Sequence, residues 1–238
     1  MTTVAVVAAL TAEARSAAGR PVAAGGSVTL ARIQVHNCGV GPERAYRAAC
    51  AAVRECGARA LVSWGTAGAL RPGLRPGTLL LPAAIASDDG EPRATDPGWR
   101  ARLGERLRAG CDFLADDMAH SVRVVGTAAA KAALAEATGA LAVDMESHAI
   151  ARAAAELGVP FLAVRAIADD AHMPLPPAAL DLVDHFGRPR PVRVAGTLLR
   201  RPGLIYTLIA TRSAFAHALA ALDRVRTLAG PDLGFGGG

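Results

Sequence analysis

The sequence predicts an α/β fold, a twisted, mostly parallel mixed sheet with helices on both faces, and three observations carry that expectation. Apolar runs of strand length alternate with amphipathic stretches of helix length through residues 4–168, the pattern of strands joined by helical crossovers. The run over 159–168 is apolar nearly throughout, as a parallel strand covered on both faces must be. Polar or glycine-rich clusters follow strands at Glu13, at Gly39-Val40-Gly41, at Gly65-Thr66-Ala67-Gly68, at Asp144-Met145-Glu146 and at Asp169. In such sheets ligands gather at the carboxyl ends of strands, so five clusters at one rim make a site.

The elements follow in order. A first strand over 4–10 leads into a loop bearing Glu13, and a second over 30–37 ends in Gly39-Val40-Gly41-Pro42. A helix over 43–56 precedes the strand 60–64, which stops at Gly65-Thr66-Ala67-Gly68. Next come a strand over 78–86, a helix over 98–109, a strand over 122–125, a helix over 129–137 and a strand over 140–143. The helix 145–157 puts Met145, Ala149, Ile150, Ala153, Ala154 and Leu157 on one face and Arg152 and Glu156 on the other. Gly158 and Pro160 stop it before the strand 159–168. The proline-rich stretch 171–191 has no clear period and reads as an ordered loop or lid. Residues 192–228 read as helix broken near Pro202-Gly203, and 234–238 are expected to fray. No Ser/Gly linker divides the 238 residues, so a single domain over 1–238 is expected.

The chemistry concentrates in the unit around residues 143–170. A buried strand does not keep an arginine for packing, yet Arg165 sits in the middle of one. It can pair with Asp144 or Glu146, or hold an anionic nucleophile or polarised water. Glu146 stands at a helix start, where a carboxylate can be a cap. Beside Met145 it also suits a ribose, the carboxylate accepting from vicinal hydroxyls while the thioether covers the sugar face. Of Asp169 and Asp170, one can cap a turn and the other can be a general acid, since burial in an apolar pocket favours the protonated form. Gly65-Thr66-Ala67-Gly68 is either a plain tight turn or a cradle of backbone N–H groups for phosphate, and Gly39-Val40-Gly41 is a weaker candidate of the same kind. His36, His120, His148, His172, His185 and His217 have no metal-ligand spacing, so no metal is expected; His148 alone is close enough to the motif to reach the site.

Composition bounds the rest. Apolar residues make up 52% of the chain and no run approaches a membrane span. Cys38, Cys50, Cys56 and Cys111 show neither a CxxC nor a Cys/His pattern, and the N-terminus has no charged region ahead of an apolar one, so a cytosolic protein with reduced thiols is expected. The formal charge of +5 is a C-terminal property: residues 188–226 hold eight arginines against Asp223 alone. Leu198, Leu199, Leu204, Ile205, Tyr206, Leu208, Ile209 and Phe215 interleave with them. The region is either a core-covering or oligomer-facing helix with solvated arginines, or a surface that contacts anionic membrane. Nucleic acid is not the expected partner, because the residues interleaved with the arginines are mostly aliphatic, with Tyr206 and Phe215 the two aromatics among them.

Glu13, Gly65-Thr66-Ala67-Gly68, Val143-Asp144-Met145-Glu146 and Arg165-Ala166-Ile167-Ala168-Asp169, in this order and spacing, resemble the purine nucleoside phosphorylase and methylthioadenosine/adenosylhomocysteine nucleosidase superfamily. Within it, Thr127-Ala128-Ala129-Ala130-Lys131, Val143-Asp144-Met145-Glu146-Ser147-His148, Leu175-Pro176-Pro177-Ala178-Ala179 and Leu198-Leu199-Arg200-Arg201-Pro202 look like the hopanoid-biosynthesis-associated nucleoside phosphorylases. The resemblance implies a phosphorylase/hydrolase-like fold and cleavage of the N-glycosidic bond of a 5′-modified adenosine, with adenosylhopane as the subgroup's substrate. It implies that Glu146 binds the ribose hydroxyls, Met145 packs on the sugar and Asp169 protonates the departing base. Glu13 and Arg165 would hold the nucleophile, and Thr66 with the backbone of Gly65, Ala67 and Gly68 would contact phosphate or the ribosyl side. Asp144 would belong to the same substrate-binding turn. No cofactor is implied; inorganic phosphate is the expected co-substrate and a homo-oligomer is expected, the alternatives being a methylthioadenosine/adenosylhomocysteine- or futalosine-type nucleosidase that uses water, or a non-catalytic nucleoside-binding protein at a membrane surface. Ala168 stands where the superfamily commonly has serine, and the segment 125–140 lacks the aromatic base clamp of the methylthioadenosine nucleosidases, which implies a more open pocket.

Overall fold

Alternation in the first strand sets the layering. β1 (Val4–Ala8) is buried along its whole length, with Val4 and Val6 in one apolar cluster and Ala5 and Val7 in another. A strand with apolar side chains on both faces needs cover on both. α1 (Thr11–Ala18) and the C-terminal helix supply it on the first face, and α2 (Pro42–Arg54) and α5 (Ser147–Leu157) on the second. The computed structural model describes residues 3–87, 90–173, 181–200 and 204–236.

The remaining elements are β2 (Ser27–Thr29), β3 (Ile33–Asn37), β4 (Ala60–Ala69), β5 (Leu79–Leu80), β6 (Ala84–Ser87), β7 (Gly90–Ala94) and α3 (Pro97–Leu107). After them come β8 (Phe113–Leu114), β9 (Met118–His120), α4 (Ala128–Thr138), β10 (Ala142–Asp144), β11 (Phe161–Asp169), α6 (Pro191–Arg200) and α7 (Leu204–Ala229). One path through the sheet runs β2-β3-β1-β4-β10-β9-β6-β7, with β11 alongside β4, β5 alongside β11 and β8 alongside β5. Pairings β1/β3, β1/β4, β4/β11 and β9/β10 are parallel, while β4/β10 and β5/β11 are antiparallel. The expected mostly parallel mixed sheet is therefore the one observed.

The site follows from a change of neighbour along one edge of β4. β1 pairs with residues 60–63 of that strand, and β10 pairs with Gly68 and Ala69. Between them residues 64–67 have no named strand partner on that edge, so the sheet is split there, a place where side chains from two directions can enter. On the other edge β11 runs beside β4 as far as Gly68. A register shift between Ile167 and Asp169 leaves Ala168 as the extra residue, a bulge that redirects Asp169.

Four local expectations change. Glu13 lies in a helix: at the N-terminus of α1 its carboxylate accepts from the Leu10 amide, one of the amides that the first turn leaves without a backbone partner. Gly65-Thr66-Ala67-Gly68 is no turn but the second half of β4, kept extended by the β11 ladder. Residues 122–125 form no strand; the strand of this region is β9, just upstream, between β10 and β6. The span 78–86 is two strands, β5 and β6, since Pro82 between them has no N–H to give a continuous ladder. Leu175-Pro176-Pro177-Ala178-Ala179 and the break at Pro202-Gly203 lie outside the described residues. The end of the proline-rich stretch is ordered by Asp184, which accepts from the amides of Phe186 and Arg188, and by a bridge between Val183 and Pro189.

Both C-terminal helices form. In α7 Ala214, Ala218, Ala221, Leu222, Val225 and Ala229 are buried, and all but Ala214 join the cluster of β1, β4 and β11. That half of the basic region is core-covering helix. Among the described residues no helix is long and apolar enough to cross a membrane.

Candidate active site

At the split in the sheet a cavity of about 170 Å³ is lined by Glu13, Thr66, Ala67, Gly68, Asp144, Met145, Glu146 and Asp169, with Leu10, Val40 and the segment 123–125 completing its walls. Of the ten sequence-predicted site residues, eight line it; Gly65 and Arg165 do not.

Glu13 fills the gap beside β4. One carboxylate oxygen accepts from the Thr66 amide and hydroxyl, both at 2.8 Å, and the other from the Leu10 amide at 3.0 Å. The Thr66 amide is thus a strand-edge donor answered by a side chain, since no strand answers it. A Cβ on Gly65 would stand 2.8 Å from the Glu13 carboxyl. Gly65 therefore makes room for the acid. Burial raises the Glu13 pKa above the ordinary carboxylate value, against the lowering effect of the Arg165 charge and the hydrogen bonds.

Glu146 occupies the N-cap position of α5, yet its side chain makes no cap hydrogen bond. It accepts instead from the Gly41 amide at 2.8 Å. Capping falls to Asp144, whose carboxylate accepts from the Ser147 amide and, at 2.6 Å, from the Ser147 hydroxyl. Glu146 is thereby left to face the cavity beside Met145. Burial and then the neighbouring Asp144 charge push its pKa up to about 8.

Arg165 lies behind the cavity wall. Its Nε and Nη2 donate to Asp144 at 2.9 and 2.5 Å, Nη2 also reaches the Ser63 and Ser147 hydroxyls at 2.6 and 2.9 Å, and Nη1 donates to the Val164 carbonyl. With so many protein acceptors around it, the guanidinium fixes Asp144 and lends its charge to Glu13 and Glu146; it does not present a free face to a nucleophile. Sequence reasoning had both alternatives for this residue, and the pairing with Asp144 is the one formed.

Asp169 reaches the cavity from the bulged end of β11. Gly68 leaves space for it, since a Cβ there would lie 3.1 Å from its Oδ1. Behind it stands Lys131 of α4, whose Nζ donates to Asp169 Oδ2, to the Asp170 carbonyl at 2.7 Å and to the Met173 carbonyl at 3.4 Å. Burial raises the Asp169 pKa, and the Lys131 hydrogen bond and charge pull it down. Asp170 serves the turn, its side chain accepting from the His172 and Met173 amides. Lys131 was not singled out as a site residue from the sequence. The signal was there: it is the one lysine in a chain with 26 basic residues.

Other expectations resolve simply. Gly39-Val40-Gly41 contributes Val40 to the wall and the Gly41 amide to Glu146. The Val40 and Thr11 amides donate to the His185 and Phe186 carbonyls, so the end of the proline-rich stretch is tied to the rim. His148 stacks on His120 at 5.5 Å and is absent from the cavity lining. Of the lining valines Val124 is exposed, to 40%, and its neighbour Val122 outside the lining is exposed to 59%.

No curated protein matches the sequence. The fold is similar to the 5′-methylthioadenosine/S-adenosylhomocysteine nucleosidase of Neisseria meningitidis, at TM-score 0.70 and 18% identity over 94% of this chain and 96% of that one. It is similar to the S-adenosylhomocysteine nucleosidase of Streptococcus pyogenes, at 0.70 and 17% over 97% and 98%, and to the futalosine hydrolase of Helicobacter pylori, at 0.70 and 14% over 94% and 95%. Such identities speak to the fold alone. The model of the phosphorylase superfamily matches residues 16–188, most of the sheet and all of the site but Leu10 and Glu13, and the chain belongs to that superfamily.

Proposed function

We propose that this protein is a nucleoside-cleaving enzyme that breaks the N-glycosidic bond of an adenosine derivative. The observation that carries the reading is the pair Glu146 and Asp169 facing one cavity, with Met145 beside the first and Lys131 behind the second. A carboxylate near the sugar stabilises an oxocarbenium-like transition state and accepts from ribose hydroxyls, while a proton donor at the opposite end neutralises the leaving base. Asp144 and Arg165 act as the support that frees Glu146 from capping. Thr66 positions Glu13, and Ala67 and Gly68 form the floor on which Asp169 can approach.

The substrate we favour carries a large apolar 5′-substituent, adenosylhopane being the specific candidate, with adenine and a ribosylhopane as products. Support comes from Leu10, Val124 and Val125 in the wall and from the exposure of Val124 and of its near neighbour Val122. A surface apolar cluster at a cavity mouth suits an apolar group that extends out of it. Phosphate is the proposed co-substrate, with Arg123, the cationic residue among the lining, as its contact. Water is the second reading, and the placement of Arg165 favours it: the buried guanidinium is turned to Asp144, while Glu13 faces the cavity as a base. A homo-oligomer and peripheral contact with anionic membrane, through the basic C-terminal helices, complete the proposal.

Adenine release from adenosylhopane and from methylthioadenosine, each with and without phosphate, tests the activity, the substrate and the co-substrate. Phosphate-dependent release from adenosylhopane is expected. Release that is indifferent to phosphate selects water, preference for methylthioadenosine removes the apolar-substituent reading, and no release from either substrate removes the function.

A further inference from the structure

Lys131 is 1% exposed on a helix whose outward face is largely solvent. An ammonium group in that position needs an acceptor for each N–H. It has three: the Asp169 carboxylate and the carbonyls of Asp170 and Met173. Both carbonyls belong to the chain directly after Asp169, so the lysine grips the acid and the turn that follows it. A salt bridge of this kind is costly to bury and gives little stability over an apolar replacement. Every other Lys/Arg position in the chain is arginine, so this lysine is the one among those 26 cations that can readily give up a proton.

The position raises a question of proton inventory. An aspartate paired with an ammonium group rests as a carboxylate, and a carboxylate has no proton to give a leaving base. We propose that Lys131 is the positioning residue that supplies the proton, so that Lys131 and Asp169 act as one acid at the leaving-group end of the cavity. The proposal rests on the nucleoside-cleaving reading above. In the resting pair the transferable proton is on Nζ. Its transfer to the carboxylate yields a neutral amine and a carboxylic acid, and the acid protonates the base as the C1′–N bond breaks and its electron pair passes to the base. The pair then stands as amine and carboxylate and takes one proton from water before the next turnover. Titration belongs to the pair, not to either residue alone.

The test is a double-mutant cycle on two substrates. Lys131→Met, Asp169→Asn and the double variant are assayed with an adenosine substrate and with 4-nitrophenyl riboside, whose leaving group departs without protonation. On the nucleoside each single variant is expected to lose about 10²-fold or more in kcat, the usual scale of general acid catalysis. The double variant is expected to be no worse than about threefold below the poorer single, because residues that act as a unit are not additive. On the nitrophenyl riboside all three are expected to fall by less than about tenfold, since acid catalysis is not needed there. In Lys131→Met the alkaline limb of the nucleoside pH profile, set by loss of the pair's proton, is expected at lower pH than in the wild type. Multiplying losses in the double variant, equal losses on both substrates, or a Lys131→Met enzyme with near wild-type nucleoside turnover would each overturn the proposal. A wild-type protein that cleaves the nitrophenyl riboside but no nucleoside removes the underlying reading and the proposal with it; an indifferent Lys131→Met in an active enzyme removes the proposal alone.

Discussion

Glu146 shows how a single carboxylate is released for chemistry. Its position at the start of α5 offers a cap, but Asp144 takes that role and Glu146 turns to the cavity with only the Gly41 amide as a named partner. Burial and the Asp144 charge raise its pKa from 4.5 to about 8. If the charged form stabilises the transition state, kcat/KM rises as pH is raised through about 8, and Glu146→Gln flattens that limb while lowering kcat more than it weakens ground-state binding. Stability moves the other way. The folded protein holds this proton more tightly than the unfolded chain, so the contribution is fully present below pH 4.5 and is lost as pH rises towards 8. Urea midpoints for the wild type are expected to drop between pH 5 and pH 8.5 by more than those for Glu146→Gln; equal drops would place the titration elsewhere. The residue types of the site were legible in the sequence because carboxylates after strands are conspicuous. Partnerships were not. Whether Asp144 or Glu146 caps α5, and that Lys131 reaches Asp169 across 38 positions, depend on packing that no spacing encodes.

β4 is the element on which the site depends. Its Gly65 and Gly68 each leave space that a Cβ would fill, against Glu13 at 2.8 Å and Asp169 at 3.1 Å. Neither glycine has a positive φ, so both are there for closeness rather than for conformation. Gly65→Ala is expected to push Glu13 off the Thr66 amide and lower stability by about 1–3 kcal/mol, the range for overpacking in a filled interior. Thr66→Val keeps the strand and the amide donor while removing one hydroxyl hydrogen bond, about 0.5–1.5 kcal/mol. Thermal melting of the two variants should rank Gly65→Ala as the more damaging; the reverse order would mean that the glycine tolerates a methyl group and Glu13 can move. A glycine pair after an apolar run suggests a turn, and β4 continues instead because β11 pairs with it beyond Trp64. Long-range pairing overrides the local signal there, as it does at residues 122–125, where Val-rich sequence remains outside the sheet.

At the scale of the whole molecule the basic C-terminal region divides into two parts with different surroundings. The later half of α7 packs Ala218, Leu222, Val225 and Ala229 into the core shared with β1, β4 and β11. Arg193 and Arg200 of α6 and Arg212 of α7 are exposed, as are Val192 at 84% and Ile209 at 60%. Exposed cations interleaved with exposed apolar side chains match an anionic bilayer surface, to which insertion and headgroup attraction both contribute. Deleting everything after Pro191 cannot test this, because it would strip a core helix along with the surface. Substitution can. Val192→Glu with Ile209→Glu replaces two solvent-facing apolar groups by charges of the wrong sign and should leave the melting temperature within about a few degrees, as surface changes usually do. The wild-type protein is expected to sediment with anionic but not neutral vesicles at low salt and to be released at high salt, where headgroup attraction is screened. The double variant is expected to stay in the supernatant. Wild-type protein that ignores anionic vesicles at low salt, or a double variant that sediments as well as the wild type, would leave α6 and the start of α7 as surface facing solvent or another subunit.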